Sequence, residues 1–327
     1  MAEYIKLKCV EFIVTYLCNS RCKHCHVGLA ERATRPTALT PGLAKRAVRE
    51  LAEAFSLDYV MTFGGEPLLY PETVYAVHAT ATECGIPDRV IITNVSYPAH
   101  ADDFRVVARK LAECGVNWMY LSVDAFHQEY LPLQTVRQNA RLLIEAGIEH
   151  LAWNVSWVVS PEADNPWDER TRLILHELTD LGLPKDDVAI TPDGEALRNL
   201  AEYLPPSQPI PPGTCGDKPF TGRLDEVTSI TVEPDGELTI CDQIMRIGNM
   251  QQGNAADYCR AYDPYQVPGL KVILEQGSSG LLELARQYGV GPDPQGYHSV
   301  CEMCNSLRKA IRATQQEHEQ PDPFKIY

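Results

Sequence analysis

The apolar run Val10-Glu11-Phe12-Ile13-Val14-Thr15-Tyr16 passes through Leu17 straight into Cys18-Asn19-Ser20-Arg21-Cys22-Lys23-His24-Cys25, so a β-branched strand signal ends in a loop carrying three cysteines. Thiols at this C-x3-C-x2-C spacing do not pair easily with one another as disulfides, but they can converge on a metal or cluster. Three thiolates hold three irons of a four-iron cluster and leave the fourth iron open. A zinc site would want four ligands, with His24 or His26 supplying the last. Cys9, at the edge of the strand, reads as a small packed apolar residue.

Beyond this loop the chain alternates strand and helix signals. Strands are predicted over residues 10–16, 59–63, 89–93, 118–123, 150–159 and 188–191. The first helix is marked by Thr40 as its cap, Pro41 in its first turn, and Leu43, Ala44, Val48, Leu51 and Ala52 at helical spacing. Further helices are expected near 71–84, 100–114, 134–146, 168–181 and 194–203. Six β–α units in series read as parallel strands joined by helical crossovers, an α/β domain over residues 1–203. A zinc knuckle is not expected in the first βα loop of such a domain. Glu83-Cys84-Gly85 and Glu113-Cys114-Gly115 close helices at matching places, which assigns Cys84 and Cys114 to core packing beside a glycine cap.

The periodicity stops in the Pro-rich stretch 204–213, read as a stiff linker. A small domain over 214–316 is expected beyond it. Residues 229–241 place two alternating runs around Pro234-Asp235-Gly236, a hairpin signal. A helix is expected near 267–287, then Cys301-x-x-Cys304, a basic helical piece over 305–316, and a tail over 317–327.

With 44% apolar and 22% charged residues, the 327-residue chain can bury a sizeable core, which excludes wholesale disorder. Its net charge of −15 argues against partnership with nucleic acid or an anionic membrane surface. No apolar run approaches the ~20 residues of a membrane span, and the first residues carry no signal-peptide pattern, so a cytoplasmic location is expected. Eleven cysteines in tight local groups then favour a metalloprotein over a disulfide framework.

Three further strand ends strengthen the cysteine loop. Thr62-Phe63-Gly64-Gly65-Glu66-Pro67 follows the second strand, Ile92-Thr93-Asn94 ends the third, and Leu121-Ser122-Val123-Asp124 ends the fourth. Together with Cys18, Cys22 and Cys25, these motifs resemble the radical SAM superfamily. The resemblance implies a partial (β/α)6 barrel with a small C-terminal α+β iron–sulfur domain. It also implies a [4Fe-4S] cluster on Cys18, Cys22 and Cys25, and S-adenosylmethionine held by His24, Gly64, Gly65, Glu66, Pro67, Thr93, Asn94, Ser122 and Asp124. In the family the two glycines let the backbone approach the methionyl amino group, and an aromatic residue commonly stands where this chain has His24. The implied reaction is reductive cleavage of S-adenosylmethionine to a 5′-deoxyadenosyl radical that abstracts a hydrogen atom from the substrate. The electron comes from a donor such as flavodoxin or ferredoxin.

The C-terminal cysteines resemble the twitch or shortened SPASM extension of that superfamily. Residue by residue, Cys215, Cys241, Cys301 and Cys304 match the four ligands of an auxiliary [4Fe-4S] cluster; a structural zinc on the same thiolates is the alternative. Such an extension implies oxidative modification of a ribosomal peptide. A small-molecule dehydrogenase of the aminocyclitol type and a peptide epimerase are the alternatives. The stretch 299–307, with Asp235-Gly236-Glu237 before Cys241, resembles the epimerase branch, but Asp242 stands where that branch has a further cysteine. Cys259 and Asp242 are the candidate catalytic residues; most cysteines in a setting like that of Cys259 are simply semi-buried. With nine residues ahead of the first predicted strand, no leader-binding domain is expected in front of the barrel.

Overall fold

The computed structural model describes residues 4–26, 38–96, 101–216, 222–241, 245–318 and 322–326. The chain divides into two compact units, one of Cys9–Leu204 with Val232–Gly236, the other of Met1–Lys8, Pro205–Thr231 and Glu237–Tyr327.

The larger unit is a parallel sheet in the order β6-β5-β4-β3-β2-β1, without barrel closure. Its strands are β1 (Ile5–Thr15), β2 (Tyr59–Gly64), β3 (Asp88–Thr93), β4 (Trp118–Ser122), β5 (His150–Trp157) and β6 (Lys185–Ala189). The crossovers are α1 (Pro41–Ala54), α2 (Pro71–Glu83), α3 (Ala101–Glu113), α4 (Leu133–Ala146) and α5 (Pro166–Glu177), and α6 (Gly194–Asn199) follows β6. The mixed α/β fold expected from the βα series is present. Thr40 caps α1 by accepting the Leu43 N–H at 3.3 Å, with Pro41 in the first turn. The core packs Ile91, Met119, Leu121, Trp153 and Val155 against Val74, Phe104, Leu111, Val136 and Leu143. Each such side chain contributes about 1.5–3 kcal/mol by leaving water.

The starts of β1 and β6 depart furthest from the sequence reading. β1 starts at Ile5 because Ile5, Leu7 and Cys9 are buried while Lys6 and Lys8 point outward, a half-buried alternation that precedes the continuous apolar run. β6 lies earlier than expected, at Lys185–Ala189, because an exposed edge strand needs no apolar run. Cys84 is also corrected: it is exposed at the end of α2, whereas Cys114 packs against the core.

The other unit contains β7 (Val227–Val232), β8 (Glu237–Ile240) and β9 (Met245–Asn249), with β8 and β9 antiparallel. The β7–β8 hairpin was expected; β9 was not. Helices α7 (Ala255–Ala261), α8 (Pro268–Gln287) and α9 (Val300–His318) follow. α8 breaks at Gly277, where φ is +66° and an added Cβ would stand 2.4 Å from the Gly213 carbonyl oxygen. The Ser278 N–H donates to that same carbonyl at 3.1 Å, and the Ser278 hydroxyl to Pro211 at 2.6 Å. The Pro-rich stretch, expected as a stiff linker, is thus tied to α8; Gln208 and Tyr297 also exchange two backbone hydrogen bonds. The expected tail is likewise fastened: Phe324 is 2% exposed, and Pro323 accepts from the Gly269 N–H. α9 begins earlier than expected and takes Cys301 and Cys304 into its first turns. No described helix is long and apolar enough to cross a membrane.

Candidate active site

The β1–β2 register shifts between Ile13 and Thr15, and the chain leaves the sheet there for the cysteine loop. Cys22 is buried and Cys18 and Cys25 are half-buried. The loop turns through a Cys25 N–H to Cys22 carbonyl bond, and the Ser20 N–H points at the Cys18 sulfur at 3.4 Å. Just ahead of it, the Tyr16 hydroxyl donates to Glu233 at 2.5 Å in a fully buried pair.

The second strand end grips this loop through its backbone. The Gly65 N–H donates to Thr15 at 2.7 Å and the Glu66 N–H to Leu17 at 2.8 Å. A Cβ at Gly65 would lie 2.0 Å from the Leu17 carbonyl oxygen, and one at Gly64, where φ is +132°, 2.5 Å from that of Thr15. These glycines are required by the approach of two segments of this chain, a nearer reason than room for a ligand.

Glu66 then ties the second loop to the third. One carboxylate oxygen accepts the Leu68 N–H at 2.9 Å and the Thr93 hydroxyl at 2.7 Å; the other accepts the Asn94 N–H at 2.8 Å. Burial pushes Glu66 up to about 7 against these bonds. Pro67 opens a buried single turn behind it. From the third loop, the Asn94 amide donates to Asn19 at 2.9 Å and reaches the Cys18 sulfur at 3.8 Å, while Asn19 donates to the Ser96 carbonyl. Val95, next in line, is a β-branched residue at φ +50°. Such a conformation costs about 1–3 kcal/mol and persists only where its surroundings impose it.

Behind Ser122, itself buried at the end of β4, Asp124 accepts the backbone N–H groups of Phe126 and His127, each at 2.9 Å, and the Ser156 N–H at 3.3 Å. Its other bond, at 2.9 Å, is to His127 Nδ1. Burial opposes its charge, but His127 outweighs burial and holds Asp124 well below the usual carboxylate range. Burial opposes the His127 charge as well; Asp124 and the Cys22 thiol, which also hydrogen-bonds His127, hold it well above 6.5. His127 is a site residue that sequence reading missed, although Asp124-x-x-His127 directly follows a strand end that was recognised. His24 packs against Phe126 and His127 at centroid distances of 4.8 and 5.1 Å, and Phe126 stacks on Trp167. His24, Asp124 and His127 bring ligand atoms within 4.8 Å of one another, but the Asp124 oxygens are already engaged. Finally, the Glu195 N–H at the start of α6 donates to the Cys25 carbonyl at 2.8 Å.

In the other unit, Cys215, Cys241, Cys301 and Cys304 line one cavity with Leu224, Met245, Ile273, Val300 and Asn305. Cys241 sits at φ +56°, a left-handed conformation that costs an ordinary residue about 1–2 kcal/mol. Burial, with mutual repulsion among the thiols, pushes Cys215 up to about 11, Cys304 up to about 12, and Cys241 well above its ordinary value. Four soft donors in a pocket whose described lining carries no carboxylate fit a tetrathiolate-bound cluster or zinc. Cys259 does not line this cavity. It is 3% exposed, and burial pushes its thiol up to about 12. Asp242 lies outside the described residues.

The radical SAM superfamily model matches residues 12–174. YfkA of Bacillus subtilis (strain 168) is 26% identical over 160 residues, spanning 44% of this chain and 42% of that relative's length. Among solved structures, tagged anSMEcpe with bound AdoMet superposes with a TM-score of 0.56 at 13% identity, covering 97% of each chain. Native anSMEcpe with bound AdoMet and Cp18Cys peptide gives 0.53 at 12% identity, covering 95% of this chain and 97% of that one. Both share the fold. The cysteine loop, braced by the second, third and fourth strand ends, lies within the segment that the family pattern matches, and this chain carries a radical SAM superfamily domain over residues 12–174.

Proposed function

We propose that this protein cleaves S-adenosylmethionine reductively and uses the resulting radical for oxidative modification of a peptide. Cys18, Cys22 and Cys25 would hold the cluster with an open iron, and Cys215, Cys241, Cys301 and Cys304 would hold an auxiliary one. When bound, these groups supply one-electron cleavage of the sulfur–C5′ bond, hydrogen-atom abstraction from a substrate C–H bond, and a sink for the electron that the substrate radical gives up with a proton. The chain's residues bind and orient. Gly64 and Gly65 carry the backbone edge, with Pro67 behind it, that would meet the methionyl group. Thr93, Asn94, Ser122 and His24 stand at the neighbouring strand ends. Glu66 and Asp124 act from behind, holding those loops in register.

The observation that carries the oxidative reading is the convergence of four cysteines in one apolar cavity, since a cluster with four thiolate ligands suits electron transfer better than substrate binding. Cys259 is too deeply buried to quench a substrate radical, which weighs against epimerisation. The peptide reading is supported by a shared fold with anSMEcpe, a structure of which holds a peptide. Protein purified and reconstituted without oxygen should be brown and should form 5′-deoxyadenosine when dithionite and S-adenosylmethionine are added. With a short peptide encoded beside its gene, it should give a product lighter by two hydrogen atoms. Turnover of an aminocyclitol but no peptide would overturn the substrate class; a colourless protein holding only zinc would overturn the whole reading.

A further inference from the structure

Arg308 lies in the middle of α9 with 3% of its surface exposed, an unusual place for a guanidinium. Cys301, Cys304 and Arg308 stand at i, i+3 and i+7, so one face of the helix presents two cavity thiols and a cation. Its Nη2 donates to Asn305 at 3.4 Å, and Asn305 lines the same cavity. The charge of Arg308 reaches Cys304 and Cys241 electrostatically. Burial draws Arg308 down to about 10, which still leaves it a cation at neutral pH. Among the described residues, Arg312 disfavours its charge and Asp322 favours it; these two are joined to each other at 2.8 Å.

We propose that Arg308 is a positioning residue that sets the reduction potential of the cluster held by Cys215, Cys241, Cys301 and Cys304, an inference that rests on the auxiliary-cluster reading above. A four-iron cluster on four thiolates is already anionic, and taking up one electron adds a further negative charge. A cation fixed on the helix face that carries two of the four sulfurs stabilises the reduced form more than the oxidised one, and a dry pocket magnifies the difference. Removing the cation therefore makes the cluster harder to reduce.

The test uses the full chain in a Cys18/Cys22/Cys25→Ala background, so that only the second site can hold iron. The reconstituted protein is titrated with dithionite and redox mediators while the reduced cluster is followed by electron paramagnetic resonance. Arg308→Met and Arg308→Gln should keep their iron but shift the reduction equilibrium about tenfold toward the oxidised form, ~59 mV for one electron. Arg308→Lys should restore most of it. An unchanged potential in iron-loaded Met and Gln variants overturns the proposal, as does an equal shift in the Lys variant, which would point to packing rather than charge. Loss of iron from both neutral variants overturns it in favour of a purely structural role. Absence of iron from the background protein itself removes the auxiliary cluster and the proposal with it.

Discussion

The cysteine loop of residues 18–25 and the cavity of Cys215, Cys241, Cys301 and Cys304 hold their thiols by different means. The loop is braced from outside: Gly65 and Glu66 bond the carbonyls of Thr15 and Leu17 just ahead of it, the Asn94 amide reaches the side chains of Asn19 and Cys18, His127 reaches Cys22, and Glu195 bonds the Cys25 carbonyl. Two of its three cysteines stay half-exposed. The cavity is instead walled by apolar side chains, with two of its cysteines on one helix and a third in a strained turn. The difference is compatible with the chemistry proposed for each site. A cluster with an open iron must admit a ligand, so its loop is fixed by polar ties at strand ends. A fully ligated cluster needs only enclosure, which packing provides.

The sharpest way to break this contrast is to remove one set of thiols and ask what the other retains. Cys18, Cys22 and Cys25 changed together to Ala should abolish 5′-deoxyadenosine formation while leaving roughly half the iron of the reconstituted protein. Unchanged 5′-deoxyadenosine production would show that the braced loop is not the site of cleavage.

Gly65→Val attacks the bracing. Its side chain would collide with the Leu17 and Tyr16 carbonyl oxygens, so a loss of about 1–3 kcal/mol in stability should accompany the loss of S-adenosylmethionine cleavage. Urea denaturation checks the first and chromatography of 5′-deoxyadenosine the second. Normal stability with lost binding would return the glycine to a ligand-contacting role.

Glu66→Gln should lower stability in a pH-dependent way. The folded-state value of about 7 lies above the ordinary 4.5, so the folded protein holds this proton where the unfolded chain has released it. That contribution is complete below about 4.5 and is lost as pH rises through about 7. The stability gap between wild type and variant should therefore be wider at pH 5 than at pH 8, by about 1–3 kcal/mol. A gap that stays flat between pH 5 and pH 8 would mean that Glu66 is ionised throughout.

The smallest effect is expected from Cys259→Ser. The residue is buried outside the four-thiol cavity, so iron content should not change, and stability should fall by about 1 kcal/mol from a hydroxyl placed in an apolar setting. Loss of about four irons would make Cys259 a ligand in place of one of the four.

Much of the fold was legible because its signals are local. Thr40 and Pro41 announce α1, and continuous apolar runs announce the inner strands of a sheet covered by helices. Where a signal is weak, the reading slipped: β6 is an exposed edge strand, the first half of β1 is half-buried, and β9 was missed. The fastening of the Pro-rich stretch at Gly277 and the burial of Phe324 depend on partners far along the chain, and no local pattern reveals them.

Residue type and spacing alone determined the C-x3-C-x2-C loop, the Gly-Gly-Glu-Pro motif and the grouping of the late cysteines, because thiols at fixed intervals after a strand restrict the chemistry they can perform. Only the tertiary structure decided what the neighbouring polar residues do. Glu66 and Asp124 became ties between loops because burial leaves a carboxylate no option but to satisfy its oxygens from nearby N–H and O–H groups. His127 was brought to Cys22 by the turn after β4, and Arg308 to the late cysteines by the phase of α9. Contacts of this kind depend on distances set when separate segments pack, and those distances are not written in any one stretch of the chain.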